Sequence, residues 1–166
     1  MIDYRLIDVK EKLALIDLMN TVVEGLERKD FFIPFTSEEI DSMFDDKKAV
    51  VYGSYDDGKL VGTAQLYLGD EFVDEIKAAI GIENAKAAEF GGVMVLKKYR
   101  NHGIMKRFSK IMIEEARKRK YEYIVACAHA ENIASNAAIL AMGAQLKKTG
   151  DLSGHRNRNM YLLQLT

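Results

Sequence analysis

One stretch restricts the fold more than any other. Val93 to Leu96 is short, apolar and rich in β-branched residues, and Lys97 to His102 is a polar turn. From Gly103 the apolar residues Ile104, Phe108, Ile111, Met112 and Ala116 fall on one helical face, with Lys106, Arg107, Lys110, Glu114 and Arg117 mostly on the other. Strand, tight turn and helix in this order leave the first N–H groups of the helix without partners inside it, and their dipoles add up to a partial positive charge. Gly103 puts no Cβ in the way of a bulky anion, and Arg100, Lys106 and Arg107 add positive charge. The turn therefore reads as an anion site of the phosphate type, with a plain strand-to-helix connection as the alternative. It is neither a Walker loop nor a dinucleotide Gly-x-Gly-x-x-Gly loop.

The periods on either side of this unit give the rest of the order. Met1 to Asp8 reads as a short strand. Asp8 with Glu11 makes a capping box for a helix to about Arg28, with a buried stripe of Leu13, Ile16, Met19, Val23 and Leu26. Pro34 breaks the chain, and Thr36 with Glu39 repeats the box before a short helix carrying Ile40, Met43 and Phe44. Ala49 to Tyr55 and Leu60 to Leu68 are strands joined at Asp56-Asp57-Gly58-Lys59, a hairpin signal. Residues 70–88 read as a helix and a variable connection. Tyr121 to Ala130 is a strand, parallel to the Val93 strand because a helix crosses between them. Asn132 caps a helix that stops at Gly143, and strands near Ala144 to Thr149 and Asn157 to Leu165 close the chain. The expected class is α/β with a mixed sheet, mostly antiparallel with one parallel pair and flanking helices. It forms a single domain over residues 1–166, since 48 % hydrophobic content is enough for a core at this length.

Two parts of the sequence also resemble a known family. Val95-Leu96-Lys97-Lys98-Tyr99-Arg100-Asn101-His102-Gly103-Ile104-Met105 resembles the acetyl-CoA-binding motif of the GNAT superfamily of N-acetyltransferases, a Val followed by Arg/Gln-x-x-Gly-x-Gly/Ala, with Met105 where Gly or Ala is usual. Asn132-x-x-Ser135 followed by Gly143-Ala144 resembles the second signature of that family, with Ile139 in the Tyr position and Ala144 in the Phe position. The order of elements is similar over the whole chain, and the residue match is specific from about Glu89 to Ala144.

The resemblance implies the GNAT fold and transfer of an acetyl group from acetyl-CoA, as co-substrate, to a primary amine by direct attack in a ternary complex, without metal. It puts the pyrophosphate on the turn formed by Arg100, Asn101, His102, Gly103, Ile104, Met105 and Lys106. The pantetheine arm runs beside Val93, Met94 and Val95, with the N–H groups of Met94 and Val95 meeting the arm and the thioester carbonyl. Asn132 and Ser135 lie near the arm, or else simply cap a helix. Glu89 stands where glutamate-using members place their base; a solvent-facing glutamate at a strand end is the alternative. A base matters, because holding a Lys-like amine of pKa ~10.4 neutral at pH 7 costs about 4.6 kcal/mol, against about 1.4 for an α-amine near ~8. Ile139 cannot return a proton to the CoA thiolate, which leaves water, Tyr67 or Tyr161. The rival readings are transfer of a longer acyl group and a non-catalytic acyl-CoA-binding sensor or interaction domain, the latter suggested by Met105 and Ile139.

Other features point away from further chemistry. A formal charge of −1 supplies no basic field for nucleic acid or a membrane surface, and the basic face of the helix after Gly103 reads as solvated. The start lacks the pattern of a signal peptide and no apolar run reaches membrane-spanning length, so cytoplasmic residence is expected. The lone Cys127 excludes an intramolecular disulfide and reads as core rather than nucleophile. His102, His129 and His155 fall on separate elements, so no metal site is expected; His102 lines the turn, and His129 is read as a satisfied near-core residue. The expected partner is a small-molecule or peptide amine, with homodimerisation left open. Ser153-Gly154-His155-Arg156-Asn157-Arg158 is locally cationic, and under the resemblance Arg156 or Arg158 holds an anionic group of the acceptor, a solvated hairpin being the alternative.

Overall fold

A computed structural model describes residues 1–165 and builds them around one seven-stranded sheet. The strands are β1 (Ile2–Leu6), β2 (Ala49–Asp56), β3 (Lys59–Tyr67), β4 (Ala87–Val95), β5 (Tyr123–His129), β6 (Gln145–Leu152) and β7 (His155–Gln164), in the spatial order β1-β2-β3-β4-β5-β7-β6. Only β4 and β5 pair in parallel, joined as expected by a crossing helix. The helices are α1 (Lys12–Glu24), α2 (Ser37–Met43), α3 (Glu71–Ala79), α4 (Ile104–Lys118) and α5 (Ile133–Ala141).

Side-chain alternation assigns the helices to the two faces of the sheet. Ala88 and Phe90 of β4 pack with Ile104, Phe108, Met112 and Ala116 of α4, while Ala126 and Ala128 of β5 meet Ile139 of α5. On the opposite face Val51 and Met94 pack with α1 and α2, and Val125 and Met160 with Val73 and Ile76 of α3. The hairpin turn forms where Asp-Gly permits it, with φ of 49° at Asp57 and 81° at Gly58. Both capping boxes are present.

The first helix differs from expectation. Its capping box opens a single 3-10 turn, Val9–Glu11, and α1 itself runs from Lys12 to Glu24 instead of reaching Arg28. Its buried face is Leu15, Leu18, Met19 and Val22, and Leu13 is 75 % exposed. The segment is apolar on nearly every side, so two stripes compete; the one with unbroken i, i+3, i+4, i+7 spacing is the one that packs. On α4 the buried residues include Ser109 as well as Met112, and Ile111 stands at the margin of the buried face.

Two irregularities interrupt β4. Its pairing with β5 covers only Ala87 to Glu89 against Tyr123 to Val125, after which the strands part. Against β3, the register slips between Thr63 and Gln65, where Gly91 lies opposite Gln65 and Met94 opposite Thr63, so one extra residue bulges from β4. Gly92 occupies that bulge at φ 61°, and a Cβ there would sit 2.0 Å from the terminal amide of Gln65 and 2.8 Å from Phe35 Cζ. Gln65 is fully buried; with its amide turned so that nitrogen donates, Nε2 reaches Gly92 O (2.8 Å) and Gly91 O (3.0 Å).

Gly92→Ala combines left-handed strain with a steric clash and should lower stability by roughly 1–3 kcal/mol or more. Gly150→Ala, where φ is not positive and a Cβ meets nothing within 4 Å, should stay within about 0.5 kcal/mol of wild type. Urea denaturation of both variants checks the contrast.

Candidate active site

The turn between β4 and α4 has the geometry of an anion cradle. Asn101 and Gly103 both take positive φ, 62° and 81°, on either side of His102. Gly103 is the N-cap of α4 and has no side chain to satisfy the first turn. The first helical bond runs from Arg107 N to Gly103 O (3.0 Å), so the N–H groups of Ile104, Met105 and Lys106 have no acceptor inside the helix. A Cβ on Gly103 would meet nothing within 4 Å, which leaves the approach open. Arg100, Asn101, His102 and Lys106 are exposed around it. Ile104 is buried, and Met105 packs against the α4 core cluster, so both offer the turn their backbone and not their bulk. The Tyr99 hydroxyl donates to Asp56 Oδ2 (2.5 Å) and pins the turn to the β2–β3 hairpin.

From this turn the open edge of β4 leads inward. Leu96 N donates to Val61 O (2.9 Å), and by the two-residue alternation of an antiparallel ladder Met94, opposite Thr63, directs its N–H toward β3 as well. The peptide groups of Val95 face the side on which β5 has parted, where Arg100 Nε donates to Val95 O (3.2 Å). Of the two, Val95 therefore presents the unpaired donor. Val93 and Val95 side chains pack toward α4. Across the gap, Asn132 caps α5 by accepting from Ser135 N (3.3 Å), which is the capping role; both residues are half-buried at the helix start.

Beyond the bulge, on the α1–α2–α3 face, lies a cavity of about 270 Å³ whose lining includes Glu89, Tyr67, Glu39, Asp70, Cys127 and Arg158. Phe31, Phe32, Phe35 and Phe72 supply its apolar wall. Glu89 is not at a solvent-facing strand end: it lies within β4, 7 % exposed, opposite Tyr67. Gly91 leaves it room, since a Cβ there would lie 3.1 Å from Glu89 Oε2. Burial, with Asp70 and Glu39 adding like charge, pushes its carboxyl up to about 8. Burial and the same three acids hold the Tyr67 phenol well above its ordinary value, so it stays protonated. Tyr161 is committed elsewhere, its hydroxyl donating to Asn136 Oδ1 (2.6 Å).

The histidines stay apart. His102 is exposed on the turn, and His129 is buried, with Nδ1 accepting from Glu131 N (3.1 Å) and Nε2 3.2 Å from Asp30 Oδ2. His155 stacks against Phe72, 4.6 Å between centroids. Cys127 is half-buried, its thiol pushed far up by burial. Among the described residues no cluster of His, Cys, Asp or Glu is arranged to hold a metal, and no helix is long and apolar enough to cross a membrane. Of the two hairpin arginines, Arg156 is exposed and Arg158 is buried in the cavity wall. Gln65, Glu39 and Asp70 carry no mark of a site in the sequence. The Gly91-Gly92 pair within a strand is a signal for the bulge that Gln65 supports, but nothing local distinguishes Glu39 and Asp70 beyond their roles at helix starts.

The Acetyltransferase (GNAT) family model matches residues 21–144. No curated protein matches the sequence. Among solved structures, an acetyltransferase of the GNAT family from Streptococcus pneumoniae superposes with a TM-score of 0.76 at 15 % identity, covering 100 % of both chains. The ribosomal-protein-S18-alanine N-acetyltransferase of Escherichia coli gives 0.73 at 13 % identity over 100 % of this chain and 95 % of its own. yncA of Salmonella typhimurium, solved with its cofactor acetyl-CoA, gives 0.73 at 18 % identity over 99 % and 94 %. At these identities the structures speak for the fold.

Folding raises the Glu89 carboxyl from 4.5 to about 8, so between those values the folded chain holds a proton that the unfolded chain has lost. Its contribution to stability is therefore full below pH ~4.5 and declines as pH rises to ~8. Glu89→Gln should remove that slope and be the more stable form above pH 8, by an amount on the order of a few kcal/mol. Urea melts of both proteins from pH 5 to 9 check this; a wild-type advantage that grows with pH would contradict it.

Proposed function

The chain belongs to the Acetyltransferase (GNAT) family, and from that premise we propose that it transfers the acetyl group of acetyl-CoA to a primary amine by direct attack within a ternary complex, with Glu89 as the base. The observation that carries this reading is the parting of β4 and β5 after Glu89: β4 runs on from there toward the uncapped N-terminus of α4, and Glu89, Gly91, Gly92 and Cys127, where the strands part, line the small cavity.

The residues of the gap suit the co-substrate. Pyrophosphate oxygens would accept from the N–H groups of the first turn of α4, with Arg100 and Lys106 beside them. The pantetheine arm would lie along the open edge of β4, and Val95 N–H would polarise the thioester carbonyl and hold the oxyanion that forms on attack. Met105, the departure from the family motif, fits because its side chain is turned into the core.

The raised carboxyl makes Glu89 a better base than an exposed glutamate. Moving a proton from an amine near ~10.4 to a carboxylate of ordinary pKa costs about 8 kcal/mol, and to one near 8 only about 3. Attack then forms the C–N bond, and collapse of the tetrahedral intermediate breaks the C–S bond and releases the CoA thiolate. Tyr67, protonated and lining the same cavity, is the donor we assign to that thiolate in the absence of a tyrosine at Ile139, with water as the alternative.

Glu89→Gln should lower the rate on a strongly basic amine by roughly 10²- to 10⁴-fold at pH 7. The deficit should shrink as pH approaches the amine's own pKa, and CoA affinity should hardly change; an unaltered rate at pH 7 would remove Glu89 from the mechanism. Gly103→Asp should abolish CoA binding while leaving the fold intact, whereas Met105→Gly should bind normally. Calorimetry on both variants checks the phosphate turn.

A further inference from the structure

Arg158 is the least expected charge in the molecule. It stands opposite His129 in the β5–β7 ladder, is 5 % exposed, and helps to line the cavity that holds Glu89. Nη2 donates to Asp30 O (2.8 Å), but Nε is buried with no partner, and among the described residues Nη1 has none either. Among those residues no carboxylate lies within 4 Å to form an ion pair with it. The carboxylate of Asp30 is engaged elsewhere, by Arg28 Nε (3.0 Å) and Nη2 (2.8 Å) and by His129 Nε2 (3.2 Å). Arg158 therefore meets only the main chain of Asp30.

A guanidinium taken out of water without a counter-charge costs several kcal/mol. Its planar fork of donors matches a carboxylate better than any other small group. The same cavity carries the opposite chemistry elsewhere on its wall: Glu89, with Glu39 and Asp70 acting on its charge, suits a cationic amine. Arg158 is ion-paired to none of the three, so its guanidinium remains open to an anionic group of a ligand and the Glu89 carboxyl to an amine. Phe31, Phe32, Phe35 and Phe72 offer apolar surface, and about 270 Å³ admits a small molecule more readily than a folded chain end.

We propose that the acceptor is a free amino acid, its carboxylate held by Arg158, its amine directed at Glu89 and its side chain set against the phenylalanine rings. This inference rests on the acetyl transfer proposed above and specifies the substrate of the same site.

The test measures release of the CoA thiol at saturating acetyl-CoA with the twenty standard amino acids, their amides and the corresponding decarboxylated amines. Calorimetry adds binding of the best acid and of its amide to the CoA-saturated protein. The acids should be preferred over their amides by roughly 10- to 100-fold in kcat/KM, the range expected when a charge-assisted hydrogen bond is lost. Arg158→Gln should collapse that preference by raising KM for the acid, with CoA affinity held within about twofold. If Arg158→Gln does not fold, Arg158→Lys, which keeps the charge and loses the fork, should reduce the preference part of the way. Amides and plain amines used as well as the acids by the wild type would overturn the inference and leave the acetyltransferase reading standing. Equal losses for acid and amide in the arginine variants would also overturn it. No thiol release with any amine would overturn both.

Discussion

Two parallel strands that pair over three residues and then part leave an unpaired edge in the middle of a sheet, where backbone groups ordinarily find partners on both sides. Here the parting follows Glu89 and Val125. The bulge at Gly92 supports it, turning β4 so that Met94 faces α1 and α2 while Val93 and Val95 face α4. Gln65 holds the two carbonyls at the bulge from inside the sheet. The helix α4 begins after a 3-10 turn at Lys97–Tyr99 and the connection through Arg100, whose Nε donates to Val95 O on the open edge. The open edge and the cavity thus both adjoin the same irregular stretch of β4, and the N-terminus of α4 follows it in the chain.

The same cavity brings two ionisable groups into the interior. Glu89 and Arg158 both line one small cavity and neither has an ion-pair partner there, a combination that destabilises a fold unless something is gained from it. The connection between α1 and α2 closes over them and is held by Asp30, whose carboxylate meets Arg28 and His129 and whose carbonyl meets Arg158. Burial and the charges of Asp70 and Glu39 push the Glu89 carboxyl up to about 8, so near neutrality it is largely protonated and costs the fold less than an ion would.

What could be read in the sequence was what local chemistry decides. The caps at Asp8, Thr36 and Asn132, the Asp-Gly hairpin, the stop at Gly143 and the strand-turn-helix at Gly103 each need only a few neighbouring residues, and all are present. The phase of α1 differs from its sequence pattern because its many apolar residues leave the core-facing side to tertiary packing. The depth of Glu89 is hidden in the sequence because β4 begins two residues before it and is covered by the distant α1–α2 connection. Arg158 and Arg156 look alike in the sequence, and strand alternation alone would put both on one face; the extra residue that β7 carries where its register with β6 shifts, with Asn157 at φ 52°, buries one and exposes the other. Gln65 can be found only once its partner strand is known.

The central claim is that the gap between β4 and β5 receives the CoA arm, and backbone amide NMR during a CoA titration tests it most directly. The amides of Val95 and of Gly103 to Lys106 should shift and gain protection from exchange, while the β2–β3 turn at Asp57 and Gly58 stays silent. Saturable CoA binding that leaves Val95 and the first turn of α4 unmoved would contradict it.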